Sequence, residues 1–154
     1  MFGIARVAVI DDHPLFRAGI RHVVEATNDM EVVAEGADAV DALQIAATSH
    51  SDMILLDLNI PGGGIDVARS ICKSYPDTKI VFLTNSESEE NMSAVMQLGA
   101  FGYIVKGIGG SELISILRQV HRGEAYVTPS LAAGALRSIN HARAMTYRER
   151  VVAQ

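Results

Sequence analysis

The sequence predicts a doubly wound, open α/β sheet with parallel strands and helices on both faces. Three observations carry that reading. Strand-like and helix-like patterns alternate five times along the 154 residues, which implies right-handed βαβ crossovers rather than hairpins. The strand patterns at 7–10, 53–56, 80–83 and 103–105 are near-continuous apolar runs, as in a sheet covered on both faces. Each of these runs ends in a reactive polar residue: Asp11-Asp12, Asp57, Thr84 and Lys106.

The elements follow in order. After the first strand, Pro14 stands at a first helical position. That helix extends to about Thr27, with Leu15, Ala18, Gly19, His22 and Val23 on its inward face. Residues 30–34 read as the second strand. Asp38 is placed to cap the next helix, whose inward face is Val40, Leu43 and Ala47. The third strand stops at Asp57. Pro61-Gly62-Gly63-Gly64 forms a loop, and 65–74 a helix with Val67, Ala68 and Ile71 inward, broken by Tyr75-Pro76-Asp77. The fourth strand ends at Thr84. Ser86-x-x-Glu89 reads as a capping box for a helix through Leu98, which Gly99 ends. Met92 and Met96, at helical spacing there, read as core. The fifth strand ends at Lys106, and Gly109-Gly110-Ser111 opens a helix with Leu113, Leu117 and Val120 on one stripe.

Bulk properties narrow the class. A hydrophobic content of 49% supports a filled core, and the aromatic content of only 5% makes that core aliphatic. A net charge of −5 argues against the whole chain being a nucleic-acid binder. The one cysteine, Cys72, leaves no internal disulfide or multi-cysteine metal site and reads as half-buried packing. No apolar run is long enough for a membrane span and no secretory signal is recognisable, so a cytoplasmic protein is expected.

In a parallel α/β sheet ligands sit beyond the carboxyl ends of the strands. The four reactive ends would therefore meet at one edge. Asp57 is the candidate nucleophile, since a carboxylate can attack phosphorus and form an aspartyl phosphate. Asp11 and Asp12 offer hard oxygens suited to Mg²⁺, and the Asn59 carbonyl can add another. Lys106 can pair with Asp57 before reaction and with a phosphoryl oxygen afterwards. The Thr84 hydroxyl can donate to a second phosphoryl oxygen. Taken singly, an acidic pair is more often a helix cap and a lone Asp a turn residue; their occurrence at successive strand ends is what favours the reactive reading. His13 reads as a neighbour of the helix cap rather than a ligand. His22, His50, His121 and His141 form no ligand spacing.

The stretches Val9-Ile10-Asp11-Asp12-His13-Pro14, 56–62 around Asp57, Leu83-Thr84 and 99–107 ending in Lys106-Gly107 together resemble the receiver domain of bacterial response regulators. The resemblance is specifically to the NarL/FixJ-like group with a LuxR-type DNA-binding output, and it covers about residues 4–122. The resemblance implies a flavodoxin-like (βα)5 fold with strand order 2-1-3-4-5. It implies Asp57 as phosphoacceptor, and Asp11, Asp12, Asp57 and the Asn59 carbonyl as Mg²⁺ ligands. It makes Thr84 and Lys106 the switch pair and Tyr103 the aromatic switch residue. It implies a sensor histidine kinase as phosphoryl donor and a phosphorylation-dependent homodimer. Beyond its own phosphorylation and dephosphorylation, such a domain is not an enzyme. Three departures stand out: the 61–65 loop is one residue shorter than the commoner form, Asn85 replaces a small apolar residue, and Gly107 replaces a proline.

Beyond 122 the composition shifts. Residues 123–144 read as a partly helical linker. Met145 to Arg150 resembles the opening of a LuxR-type helix-turn-helix, with Thr146-x-x-Glu149 as a capping box. The sequence ends at Gln154, before a recognition helix could be built, so 145–154 reads as the start of a truncated output domain, and DNA contact is expected only through that missing part. Two other classes compete. A phosphorylation-independent interaction module on the same fold is disfavoured by the complete site. A haloacid-dehalogenase-like phosphatase expects an acid two positions after the nucleophile, where Asn59 stands.

Overall fold

A computed structural model describes residues 3–133. The element order is β1 (Ala5–Ile10), α1 (Pro14–Glu25), β2 (Met30–Gly36), α2 (Ala39–Thr48), β3 (Met53–Leu56), α3 (Gly64–Ser74), β4 (Lys79–Thr84), α4 (Glu89–Gln97), β5 (Gly102–Val105), α5 (Gly110–His121) and β6 (Tyr126–Val127). The sheet order is β2-β1-β3-β4-β5-β6, with every pairing parallel. The expected order 2-1-3-4-5 is therefore present, extended by a sixth strand inside the segment read as linker.

Two apolar clusters sandwich the sheet. Because side chains alternate along a strand, β1 sends Val7 and Val9 to one face and Ala8 and Ile10 to the other. Val7 and Val9 join Ile20 and Val24 of α1 and Leu113, Leu117 and Val120 of α5. Ala8 and Ile10 join Ala42 of α2, Val67 and Ile71 of α3 and Met92 of α4. Burying both faces fixes strand register, and with it the position of each strand's last residue.

The inward faces of α3 and α5 are as expected, and Met92 and Met96 pack as core. Two helix faces are corrected. In α1 the core side is Phe16, Ile20, Val23 and Val24, and Leu15 is 87% exposed. In α2 it is Ala42 and Ala46, while Val40 is 73% exposed and Leu43 and Ala47 are also outward. In α2 the apolar residues lie on more than one side; in α1 Phe16, Ile20, Val23 and Val24 form a regular i, i+4, i+7, i+8 stripe, and the expectation took the neighbouring one that begins at Leu15. Asp38 does cap α2, its side chain accepting from the Asp41 N–H at 2.8 Å. The capping box at Ser86 is corrected: α4 is capped by Ser88, which accepts from the Asn91 N–H at 3.2 Å.

These faces give a paired expectation for urea unfolding. Asp38→Ala removes the cap of α2 and costs about 1 kcal/mol, whereas Leu15→Ala, which uncovers nothing, stays within about 0.5 kcal/mol of the native chain. Equal losses for the two would contradict the assigned faces.

Candidate functional site

The carboxyl ends of β1, β3, β4 and β5 meet as the sequence predicts. Adjacent pairing brings Ile10 level with Leu56 and Thr84 level with Val105. The residues after β1, β3 and β5, namely Asp11, Asp57 and Lys106, then reach the same rim, beside Thr84 at the end of β4. The Asp57 N–H donates to the Ile10 carbonyl at 3.1 Å, and the Lys106 N–H to the Thr84 carbonyl at 2.7 Å. Asp11 and Asp57 are buried, and Asp12 is exposed.

Lys106 joins the ends. Its Nζ donates to Asp11 Oδ2 at 2.7 Å and to Asp57 Oδ2 at 2.9 Å. The same ammonium lies 4.2 Å from the centroid of the Phe16 ring, whose negative face attracts it. Other groups hold the carboxylates in place. The Asn59 N–H donates to Asp57 Oδ1 at 3.1 Å, and the His13 N–H to Asp11 Oδ1 at 2.8 Å. Arg17 donates to the Asp11 carbonyl. Burial pushes the Asp11 carboxyl up, but hydrogen bonds from Lys106 and His13 outweigh it and hold the group below its ordinary range. Burial pulls Lys106 down, and its bonds to Asp11 and Asp57 outweigh that and hold it above its ordinary value.

His13 enters the cluster more directly than the sequence suggests. Its Nδ1 lies 2.9 Å from Asp11 Oδ1 and 3.1 Å from Asp12 Oδ1. Ligand atoms of Asp11, Asp12, His13 and Asp57 all lie within 4.8 Å of one another. Hard carboxylate oxygens suit Mg²⁺. One ammonium against three carboxylates leaves negative charge for a divalent cation to balance. The residues present therefore fit such an ion.

Thr84 and Tyr103 are both fully buried. They meet through Ser86. The Ser86 N–H donates to Thr84 Oγ1 at 3.3 Å, and the Tyr103 hydroxyl donates to the Ser86 carbonyl at 2.9 Å. Ser86 Oγ in turn accepts from the Ser88 N–H and from Asn91 Nδ2, tying the pair to the start of α4. Burial raises the Tyr103 hydroxyl above its ordinary pKa. An apolar groove of about 700 Å³ between α1 and α5, lined in part by Phe16, Val23, Ile108 and Leu113, opens beside Lys106.

Sequence reasoning missed Arg17, Phe16 and Ser86 as parts of this site. Phe16 and Arg17 sit in the first turn of α1, directly after the acidic pair, and that proximity was the available signal. Ser86 touches Thr84 and Tyr103 through its backbone N–H and carbonyl, which leave no trace in residue type.

A parallel sheet whose strand ends gather two buried carboxylates, a lysine and a buried threonine defines an α/β domain with an acidic, cation-ready site at its carboxyl edge. The chain belongs to the response regulator receiver domain family, whose model matches residues 7–118. It is 36% identical over 128 residues to "Response regulator GacA" of Pseudomonas aeruginosa, covering 82% of this chain and 60% of that protein. It is 38% identical over 127 residues to "Response regulator UvrY" of Escherichia coli K12, covering 82% and 58%. The chain thus spans about 60% of the length of these curated relatives. Among solved structures it is similar to a LuxR-family two-component response regulator from Aurantimonas sp. SI85-9A1, with TM-score 0.82 and 29% identity over 88% of this chain and 98% of that one. It is also similar to the isolated receiver domain of RcsB from Salmonella enterica serovar Typhimurium, with TM-score 0.78 and 25% identity over 85% and 98%. The resemblance to the NarL/FixJ-like group is borne out by these relatives. Among the described residues no helix is long and apolar enough to cross a membrane.

Proposed function

We propose that this receiver takes a phosphoryl group on Asp57 from a sensor histidine kinase and uses it to control an output domain. The observation that carries this is the ammonium of Lys106 within 2.7 and 2.9 Å of Asp11 and Asp57. It brings the ends of three strands into one charged site. The Asp57 carboxylate attacks phosphorus, a P–O bond to Asp57 forms, and the P–N bond of a phosphohistidine breaks, its electron pair remaining on the imidazole. Asp11, Asp12, Asp57 and the Asn59 carbonyl would hold Mg²⁺, which when bound neutralises charge on the moving group. Lys106 pairs with one phosphoryl oxygen and the Thr84 hydroxyl donates to another. Moving Thr84 breaks or strains its contact with Ser86 and so reaches Tyr103. In this reading Tyr103 biases a two-state equilibrium that ends in a homodimer.

The domain limits belong to the same reading: receiver at 4–122, linker at 123–144, and the opening of a LuxR-type output at 145–154. The last segment and most of the linker lie outside the described residues. RcsB, a structural relative, has been seen as two dimers bound to two parallel DNAs; by analogy DNA contact here falls to the output domain, in the cytoplasm. The expected result with acetyl phosphate and Mg²⁺ is one phosphoryl adduct by intact mass, absent in Asp57→Asn and absent when EDTA removes the metal. No adduct on the native chain would sink the proposal.

A further inference from the structure

The loop after the acceptor is built without slack. From Leu58 to Gly64 it closes on itself: the Gly64 N–H donates to the Leu58 carbonyl at 3.1 Å and the Gly63 N–H to the Ile60 carbonyl at 3.0 Å. Gly62 and Gly63 take φ of +92° and +89°, a region open to glycine. The outer side of the loop is pinned to α2, where the Ala39 N–H donates to the Pro61 carbonyl at 2.9 Å.

Gly64 is the first residue of α3 and is buried directly under the acceptor backbone. A Cβ added there would stand 2.6 Å from the Asp57 carbonyl oxygen, 2.7 Å from Leu58 Cα and 2.7 Å from the Leu58 carbonyl oxygen. All three are backbone atoms, so no side chain can swing aside to relieve the contact. Either α3 or the acceptor loop must move. Val67, Ala68 and Ile71 bury α3 against the sheet. The loop has two glycines in the permissive region and an exposed rim, so the loop is the part that yields. It carries Asp57 and the Asn59 carbonyl.

At Gly62 the geometry repeats on the outside, where a Cβ would stand 2.6 Å from Ala39 Cβ. We infer that Gly64, buttressed by Gly62 against Ala39, is a positioning residue that sets where the Asp57 carboxylate and the Asn59 carbonyl present themselves to metal and phosphoryl donor. The inference rests on the phosphoacceptor reading of Asp57.

The test compares the native chain, Gly64→Ala and Gly19→Ala, where an added methyl meets nothing within 4 Å. Two quantities are read well below the melting temperature: Mg²⁺ affinity by calorimetry, and the rate of phosphoryl uptake from acetyl phosphate. A displacement of about 1 Å at a reacting group costs on the order of 10²-fold in rate. Gly64→Ala is therefore expected to label at least about tenfold more slowly and to bind Mg²⁺ more weakly, while Gly19→Ala keeps both values. A purely structural glycine would lower only the melting temperature, so native labelling and native Mg²⁺ affinity in Gly64→Ala overturn the inference. Should that variant fail to fold, Ala39→Gly decides, because it removes the Cβ against which Gly62 stands and adds no atom to the loop. Slower labelling with weaker Mg²⁺ binding supports the seat, and native values of both overturn it. If the native chain itself takes no phosphoryl group, the acceptor reading fails, and the Mg²⁺ affinities alone then judge the seat.

Discussion

Lys106→Met should destabilise the metal-free domain by about 3–5 kcal/mol, because it leaves two buried carboxylates facing each other without a cation. For a domain of this size that lowers Tm by roughly 10–15 °C in EDTA. Asp11 and Asp57 together then have no positive partner at 2.7 and 2.9 Å. Mg²⁺ should restore more stability to the variant than it adds to the native chain, because the ammonium no longer competes for the same oxygens and binding stabilises by mass action. Thermal melts with and without the metal check both halves. An unchanged melt in EDTA would show that the pair contributes nothing.

The pH dependence of that difference has a definite sign. Asp11 is held below its ordinary value, so its contribution is present above about pH 3.9 and is lost as pH falls through the lowered folded pKa. Lys106 is held above its ordinary value, so its contribution is present below about pH 10.4 and is lost as pH rises through the raised folded pKa. Native and variant stabilities should therefore differ most between these limits and converge beyond them.

Tyr103→Ala should be the costliest single truncation on the switch side. The ring is fully buried and stands 6.4 Å from Phe82, centroid to centroid, so its removal leaves a cavity in the centre of the core. The expected loss is about 3–5 kcal/mol in urea unfolding. Tyr103→Phe keeps the ring and removes only the hydrogen bond to the Ser86 carbonyl, so it should cost about 0.5–1.5 kcal/mol. The comparison separates packing from the polar link. A Phe variant as damaged as the Ala variant would place the importance of Tyr103 in its hydroxyl rather than its ring.

What the sequence disclosed and what it withheld follow one physical division. The reactive ends were legible because a strand buried on both faces is apolar along its length, so a polar residue at its carboxyl end, buried as Asp11, Asp57 and Thr84 are, stands out in the sequence. The faces of α3 and α5 were legible because their apolar and polar residues separate cleanly. In α2 they do not: Val40 is apolar and outward, while Ala42 and Ala46 do the packing with small side chains. In α1 they do, along Phe16, Ile20, Val23 and Val24, and the expected stripe is the adjacent one beginning at the exposed Leu15. β6 has two residues, too few to show any period. Ser86 and Ser88 both carry a capping hydroxyl, and only the path of the backbone decides between them. His13 looked like a bystander because its proximity to Asp12 depends on a side-chain rotation that spacing does not encode.

β6 also decides where a mechanical load would act. α5 ends at His121 on the rim opposite the site, and β6 brings the chain back along β5, with Tyr126 level with Gly102 and Val127 level with Tyr103. There the Thr128 N–H donates to the Tyr103 carbonyl at 3.0 Å, the Thr128 hydroxyl accepts from the Val105 N–H at 3.1 Å, and Leu131 is buried among core residues. Tension on the chain beyond these anchors would thus be borne by the strand that ends in Lys106, and it would have to peel Leu131 and Thr128 away before it reached α5.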